Sequence, residues 1–188
     1  MVTERRLPVR TRHARLIVGA LVSVVAAGST AAAQPEADHP PTLVDVVRAA
    51  TAPFVDPEVA MAAGYVPKPF CVSGPNEGAM GVHFVNPSII PDGKLDPEKP
   101  ESLVYESKNG KLRLVAAEFI VFKADWEAQG NKTPPALFGQ LLNFVAAPNR
   151  FGNPDFYELH VWAWKDNPFG TFVDWNPRVS CADHSPGH

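Results

Sequence analysis

Two β-type runs joined by an Asn-Gly pair in the middle of the chain constrain its fold more than any other feature. Apolar residues dominate positions 103–106 and 112–122, and Lys108-Asn109-Gly110 lies between the two runs. Asn-Gly accepts the positive φ angles of a tight hairpin turn, so the runs predict adjacent antiparallel strands. Further strands are predicted at 81–85 and 156–164, where apolar residues again recur at strand spacing.

Helical patterns precede these strands. Thr42 is a capping residue for a short helix at 43–50, and Asp56-Pro57-Glu58 begins a second helix that Gly64 ends. Helices first and strands later predict an α+β fold, with N-terminal short helices followed by a largely antiparallel sheet or small barrel.

The segment between the hairpin and the last strand gives weaker signals. Pro134-Pro135 precedes a predicted short helix at 136–142, and residues 143–147 fit either a helix or a strand. Pairs of asparagine and proline mark the ends of apolar runs, as turn residues do.

The N-terminus has the pattern of a signal peptide at 1–33. An arginine-rich start precedes an apolar stretch at 16–27, and Ala31-Ala32-Ala33 offers the small residues of a cleavage site. The alternative is an uncleaved membrane anchor, and the export route is left open. A polar linker at 34–41 and a single globular domain at 42–188 are predicted to follow. The protein is therefore predicted to be secreted or periplasmic.

Charge excludes two classes of partner. Residues 1–33 hold five of the 17 Lys and Arg and one of the 20 Asp and Glu, so the remaining chain carries a net charge of −7. Nucleic acids and anionic membranes require a basic surface, so neither is expected as a partner. No later segment is long and apolar enough for a transmembrane helix, so no stable membrane insertion is expected after cleavage. The sequence leaves the oligomeric state open.

The two cysteines predict one disulfide. Cys71 and Cys181 are the only cysteines, and an even number in an exported chain favours a bond between them. The alternative is two free buried thiols. A metal role for the pair is disfavoured, because neither cysteine has a Cys or His partner at zinc-finger spacing.

The run from 156 to 181 resembles the wall of a binding site. Strand alternation places Glu158, His160, Trp162 and Trp164 on one face, where a purely apolar core would not usually include a histidine and a glutamate. The alternative is that the aromatic side chains of this run fill a core under the final loops.

A histidine and carboxylate set gives the candidate site. His83 and His160 are the only histidines inside predicted strands, and Glu118 lies among the apolar residues of the long strand at 112–122. A buried carboxylate needs a hydrogen-bonding partner or a cation. Two imidazoles and one carboxylate suit a divalent transition metal, zinc or iron, with positions left for water or a small-molecule ligand. Glu158 is the candidate fourth ligand or catalytic base, and Trp162 the candidate pocket wall.

Structural roles remain open for the same residues. Either histidine is able to hydrogen-bond within the sheet, and no H-E-x-x-H signature supports a metal. A metal-free ligand pocket and a carboxylate pair for glycoside cleavage, drawn from Glu106, Glu118 and Glu158, are further alternatives. If Glu118 has a structural role, its salt-bridge partner is expected to be Arg113, Lys123 or Arg150.

Four segments carry a resemblance. They are CVSGPNEGAMGVHFVNP at 71–87, LVYE at 103–106, VAAEFIVF at 115–122 and LHVWAWKDNPFGTFVDWNPRVSC at 159–181. In them the chain resembles an uncharacterised family of exported bacterial proteins. The resemblance implies a single secreted domain and implies no activity. The chain is thus predicted to be an exported domain with a His/Glu metal or small-ligand site, or else a non-catalytic binding or structural domain. Catalysis itself is left undecided.

Overall fold

Antiparallel strands dominate the structure, a computed structural model that describes residues 39–185. The predicted signal peptide at 1–33 and most of the predicted linker lie outside these described residues. The eight strands of this region are β1 (Val66–Ser73), β2 (Ala79–Val85), β3 (Ser102–Lys108), β4 (Lys111–Phe122), β5 (Ala136–Leu137), β6 (Gln140–Leu141), β7 (Asn143–Val145) and β8 (Phe156–Val161). Six of them form one sheet in the order β1-β2-β3-β4-β8-β7, and β5 and β6 pair separately.

Short helices precede the sheet, as predicted. They are α1 (Leu43–Thr51) and α2 (Pro57–Ala62), with a 3₁₀ turn between them, and α3 (Lys123–Ala128) follows β4. Thr42 and Asp45 form a reciprocal capping box at the start of α1. Leu43 and Val47 on α1 pack against the apolar residues of β4 and β8, so the first helix covers one face of the sheet. The α+β fold with its largely antiparallel sheet is confirmed.

The central hairpin forms where the Asn-Gly pair predicts it. Asn109 and Gly110 take φ angles of 53° and 69°, and Lys108 pairs with Lys111 across the turn. Positive φ at both central residues matches the twist of the flanking strands, which is why this pair is favoured at the turn.

A β-bulge in β4 changes which side chains share a face. Val104 pairs with Ala116 and Tyr105 with Leu114, so Val115 has no partner across the ladder. Strict strand alternation, which would place Leu114 and Glu118 on the same face, is therefore broken at Val115. Leu114 packs on the side of the helices, whereas Glu118 lies on the opposite face.

Two local predictions fail and one strand is found that the sequence did not predict, each for an identifiable reason. The segment predicted as a helix at 136–142 is the β5–β6 hairpin, because Phe138 and Gly139 take positive φ angles of 49° and 82° and turn the chain. The last strand ends at Val161, three residues before the predicted end, because the Trp162 amide donates to the Thr171 carbonyl instead of to the sheet. The unpredicted strand β1 contains Pro67 and Pro69, which an edge strand tolerates.

The predicted disulfide is confirmed. Cys71 on β1 and Cys181 near the C-terminus are bonded, with their Cα atoms 5.6 Å apart. A second contact joins the same regions, because Ala79 and Asn176 exchange two backbone hydrogen bonds. A disulfide suggests an oxidising extracellular environment. Within residues 39–185, the helices are too short or too polar to cross a bilayer.

Removing the disulfide is expected to destabilise the protein considerably. In the chain-entropy model, a bond that closes a loop of 110 residues contributes roughly 4–5 kcal/mol to the free energy of unfolding. We expect the free energy of unfolding of the Cys71→Ala/Cys181→Ala double variant to be lower by about this amount, so the variant should unfold at a lower urea concentration. Wild-type protein under reducing conditions is the control and should shift similarly. Equal urea midpoints for the variant and the oxidised wild type would contradict the expected stabilisation.

Candidate metal centre

Three strands of the sheet, β2, β4 and β8, bring the predicted ligands onto the sheet face opposite the helices. Glu118 lies at the centre of this face, because its strand β4 is flanked by β3 and β8. Its cross-strand neighbours are Ser102 on β3 and His160 on β8. His83 faces the same side. It lies on β2, one strand further across the sheet than β3, and pairs with Val104 of β3. The face is thus polar at its centre, although the strands around it are apolar.

The distances between these side chains are short. The His83 Nε2 atom lies 3.5 Å from Glu118 Oε2, and the His160 Nε2 atom lies 3.9 Å from Glu118 Oε1. One ligand atom from each of the three residues lies within 4.8 Å of the other two, and all three residues are buried. The two imidazole rings are 5.8 Å apart and nearly perpendicular. This group could hold a metal ion.

Unpaired polar atoms are concentrated at this cluster. Within residues 39–185, six buried side-chain atoms lack a hydrogen-bond partner, and all six belong to residues of this face. An unsatisfied buried polar atom typically destabilises a protein by about 1–3 kcal/mol, so such atoms are rare. The six are His83 Nδ1, Ser102 Oγ, Glu118 Oε2, Glu158 Oε2 and both ring nitrogens of His160.

The electrostatics of the cluster favour a proton on Glu158 and on His160, but not on His83. Burial, and then the charge of Glu118, raise the pKa of Glu158 to about 9. Burial alone would lower the pKa of His160, but Glu118, Asp174 and Glu158 outweigh it and raise that pKa to about 9. For His83, burial dominates and lowers the pKa despite the nearby Glu118 carboxylate. A metal ion that used His160 would therefore displace a proton from it.

Asp174 is a site residue that the sequence reasoning missed. It lies in the loop after β8, and its Oδ1 atom is 3.6 Å from His160 Nδ1. Asn143 Nδ2 donates to the same oxygen at 3.2 Å. Burial would raise the pKa of Asp174, but the interaction with His160 lowers it. The available signal was an acidic residue inside the aromatic run at 156–181, which cannot be placed near His160 without the loop geometry.

Glu158, His160 and Asp174 form a second group whose ligand atoms lie within 4.8 Å of one another. The two groups share His160, which presents Nε2 to Glu118 and Nδ1 to Asp174. The structure therefore places the predicted Glu158 at the same cluster as the other three sequence-predicted site residues.

Trp162 lies behind His160. Its ring stacks on the imidazole at a centroid distance of 6.2 Å and an interplanar angle of 20°. Its Nε1 atom donates to the Val173 carbonyl, and the side chain is buried in a small apolar cluster with Ala79 and Val179. Trp162 thus packs against His160 and does not line the cavity described below. Trp164 packs on the helix side of the sheet instead, because the strand ends before it.

Two of the three basic residues considered as partners of Glu118 are engaged elsewhere. Lys123 pairs with Glu127 within α3, and Arg150 lies over the Trp175 ring. Glu106, considered for a carboxylate pair, accepts hydrogen bonds from Lys165 Nζ and the Ser180 amide. Among the described residues, the basic side chains that lie within 4 Å of a Glu118 oxygen are the two histidines.

A cavity of about 190 Å³ opens above the cluster. Three of the polar residues, His83, Glu118 and Glu158, form its floor, while His160 is fully buried beneath it. Most of the remaining lining is apolar and comes from several strands and loops. Its apolar members are Phe70, Val85, Ile90, Ile120, Phe122, Phe151 and Phe156.

Comparisons with models of known protein families, with curated proteins and with solved structures gave no match to this chain. The residues and geometry of the cluster are therefore the basis for any functional assignment.

A further buried carboxyl group lies at the end of the β3–β4 ladder. Glu101 is 2% exposed, and its Oε2 atom accepts a hydrogen bond from the Ile120 amide at 2.9 Å. Burial raises the pKa of Glu101 to about 8, although the Ile120 hydrogen bond favours the charged form; Asp92 and Glu118 contribute to the rise. The group is thus neutral in the folded protein at neutral pH.

The Glu101→Gln variant is expected to lose part of the pH dependence of stability. A carboxyl group whose folded pKa lies above its unfolded value stabilises the fold below the unfolded pKa. That contribution is lost as the pH rises from about 4.5 to about 8. Glutamine keeps the acceptor for Ile120, so the variant should become more stable than the wild type as the pH rises through this window. Urea unfolding at a series of pH values measures the difference, and parallel curves for the two proteins would refute the assignment.

Proposed function

We propose that this protein is an exported domain that binds one divalent transition metal, zinc or iron, through His83, Glu118 and His160. The observation that carries the proposal is the concentration of unpaired buried polar atoms at this one cluster. A cation between the three side chains would satisfy two of these atoms directly, Glu118 Oε2 and His160 Nε2.

The distances support the proposal. Ligands about 2.1 Å from a tetrahedral ion are ~3.4 Å from one another. The separations of 3.5 Å and 3.9 Å between Glu118 and the two imidazoles are close to that value. Small side-chain movements would therefore complete the coordination.

The environment of His160 favours the group with His83 over the group with Asp174 as the ligand set. A metal-bound histidine usually donates its other N–H to a carboxylate, which fixes the tautomer and the ring orientation. His160 has this arrangement if Nε2 binds the ion and Nδ1 donates to Asp174. Asp174 is also partly exposed and held by Asn143, whereas His83 and Glu118 are almost fully buried.

Two histidines and one carboxylate leave coordination positions free. In this site those positions face the cavity, because His83 and Glu118 line its floor. A bound ion would polarise a substrate group or activate a water molecule there. Glu158 lies beside the ligands on the same floor and is the residue we assign to proton transfer, as catalytic base once the charge of a bound metal has lowered its raised pKa. The buried His160 is kept away from the cavity and would serve only the metal.

The compartment belongs to the same proposal. The disulfide between Cys71 and Cys181 suggests an oxidising environment, and the sequence pattern at 1–33 predicts export. The resemblance to exported bacterial proteins also favours a secreted or periplasmic location.

Removing both imidazoles is expected to abolish metal binding. We expect the purified wild type to contain about one transition-metal ion per chain and the His83→Ala/His160→Ala variant to contain only background levels. Elemental analysis after dialysis measures both. His39→Ala is the matched control, because His39 is exposed and far in sequence from the cluster. Equal metal content in the double variant and the control would eliminate the proposed ligands.

Replacing Asp174 tests separately its role as the carboxylate partner of His160. Loss of a carboxylate partner of a ligating histidine typically weakens metal binding roughly 10–100-fold. We expect Asp174→Asn to show such a loss in a competition titration with a chelator, and the urea midpoint of the metal-free variant measures separately how much stability the fold itself loses. The control Asp166→Asn removes an exposed carboxylate of the same loop. If Asp174→Asn abolished binding and His83→Ala did not, the ion would lie in the other group.

A further inference from the structure

The cavity above the cluster has a cationic mouth. Lys68 on the edge strand β1 lines it, and its side chain forms no ion pair with any residue in the described range. A second, shallower cavity shares Phe70 and Phe151 with the first and is lined by Arg150. The acidic residues that line the two cavities are the two on the floor of the first, Glu118 and Glu158. The entrance therefore attracts anions, although the chain after residue 33 is net negative.

Arg150 has a fixed position near this entrance. Its guanidinium lies 5.6 Å from the centroid of the Trp175 ring, and both terminal nitrogens approach the Ser73 carbonyl at 3.4 Å. Lys68 has no such fixed partner among the described residues, so it is the cation available to pair with a ligand. Lysine presents a flexible point charge that suits a compact anionic group.

The walls of the cavity are apolar. Ile120, Phe122 and Phe156 form one side, and Phe70 at the mouth is 46% exposed. An exposed aromatic side chain at the edge of a cavity is typical of a binding site. An engineered apolar cavity of about 150 Å³ accommodates benzene, so the present volume of about 190 Å³ suits a body of about one ring with a small substituent.

We propose that the cavity takes a small carboxylate whose apolar body is about the size of one ring. The carboxylate pairs with Lys68 at the mouth, and the apolar body lies against Ile120 and Phe156. The opposite end of the ligand then reaches the floor beside His83 and Glu118. This inference rests on the proposed function, because the metal at the floor would act on that end.

The direction of the ligand follows from charge. The carboxyl groups of Glu118 and Glu158 on the floor would offset the positive charge of a bound metal, so the carboxylate of the ligand is assigned to the mouth. The mouth offers an ammonium group without a competing partner in the described chain. A charge-assisted hydrogen bond to Lys68 in this partly apolar setting is stronger than the corresponding bond to a neutral amide.

The test compares benzoate with benzamide, which has a similar shape and no charge. Calorimetric titrations are made with metal-loaded wild type, Lys68→Met and the control Lys132→Met, which removes an exposed lysine far along the chain. We expect wild type and control to prefer benzoate by about tenfold. In Lys68→Met the preference should fall to about twofold or less, with benzamide binding unchanged.

Two results would overturn the inference. One is a preference for benzoate that survives in Lys68→Met, which would mean that the metal or another group holds the carboxylate. The other is the absence of binding by either compound to the wild type. Metal content measured on the same samples tests the proposed function separately. Retained metal without a Lys68-dependent preference overturns the ligand class alone, whereas absent metal with that preference overturns the metal proposal.

Discussion

The buried carboxylate of Glu118 is the constraint on which this structure depends. It lies at the centre of a six-stranded sheet, 4% exposed, with one oxygen that has no hydrogen-bond partner. A lone carboxylate at such a position is strongly disfavoured, since the low-dielectric interior cannot replace its hydration. Two imidazoles approach it, from β8 beside it and from β2 one strand further away, without good hydrogen-bond geometry. The arrangement is unfavourable for protein atoms alone, and this is the observation on which the proposed metal site rests.

The β-bulge at Val115 makes this arrangement compatible with an apolar core. Before the bulge, Leu114 points toward the helices; after it, Ala117 and Phe119 take over that side. Glu118 is thereby directed to the opposite face. An unbroken strand would place Glu118 on the same face as Leu114, because side chains alternate with a period of two residues. Bulges are common beside functional sites, where they redirect a side chain. The one residue without a cross-strand partner, Val115, thus directs Glu118 to the polar face while Ala117 and Phe119 remain on the packing face.

The features that sequence could predict are those with local or covalent causes. The Asn109-Gly110 turn, the Thr42 cap and the Cys71–Cys181 bond each follow from the residues present. The convergence of His83, Glu118 and His160 was also predictable, because all three interrupt apolar strands. Asp174 was not, since its position depends on a long loop that returns to β8. Apolar residues lie on both faces of β4, so the position of the bulge left no mark in the sequence.

The aromatic run after β8 gains a different meaning from the loop geometry. Its tryptophan and asparagine side chains hold the loop in place more than they line a cavity. The Trp162 amide donates to the Thr171 carbonyl, and its indole donates to the Val173 carbonyl next to Asp174. Asn143 then binds the Asp174 carboxylate directly. A carboxylate held on both sides meets the His160 ring in a defined orientation, which is what a histidine ligand requires from its partner. Trp162 therefore contributes to the site twice, by stacking on His160 and by fixing the loop that carries Asp174.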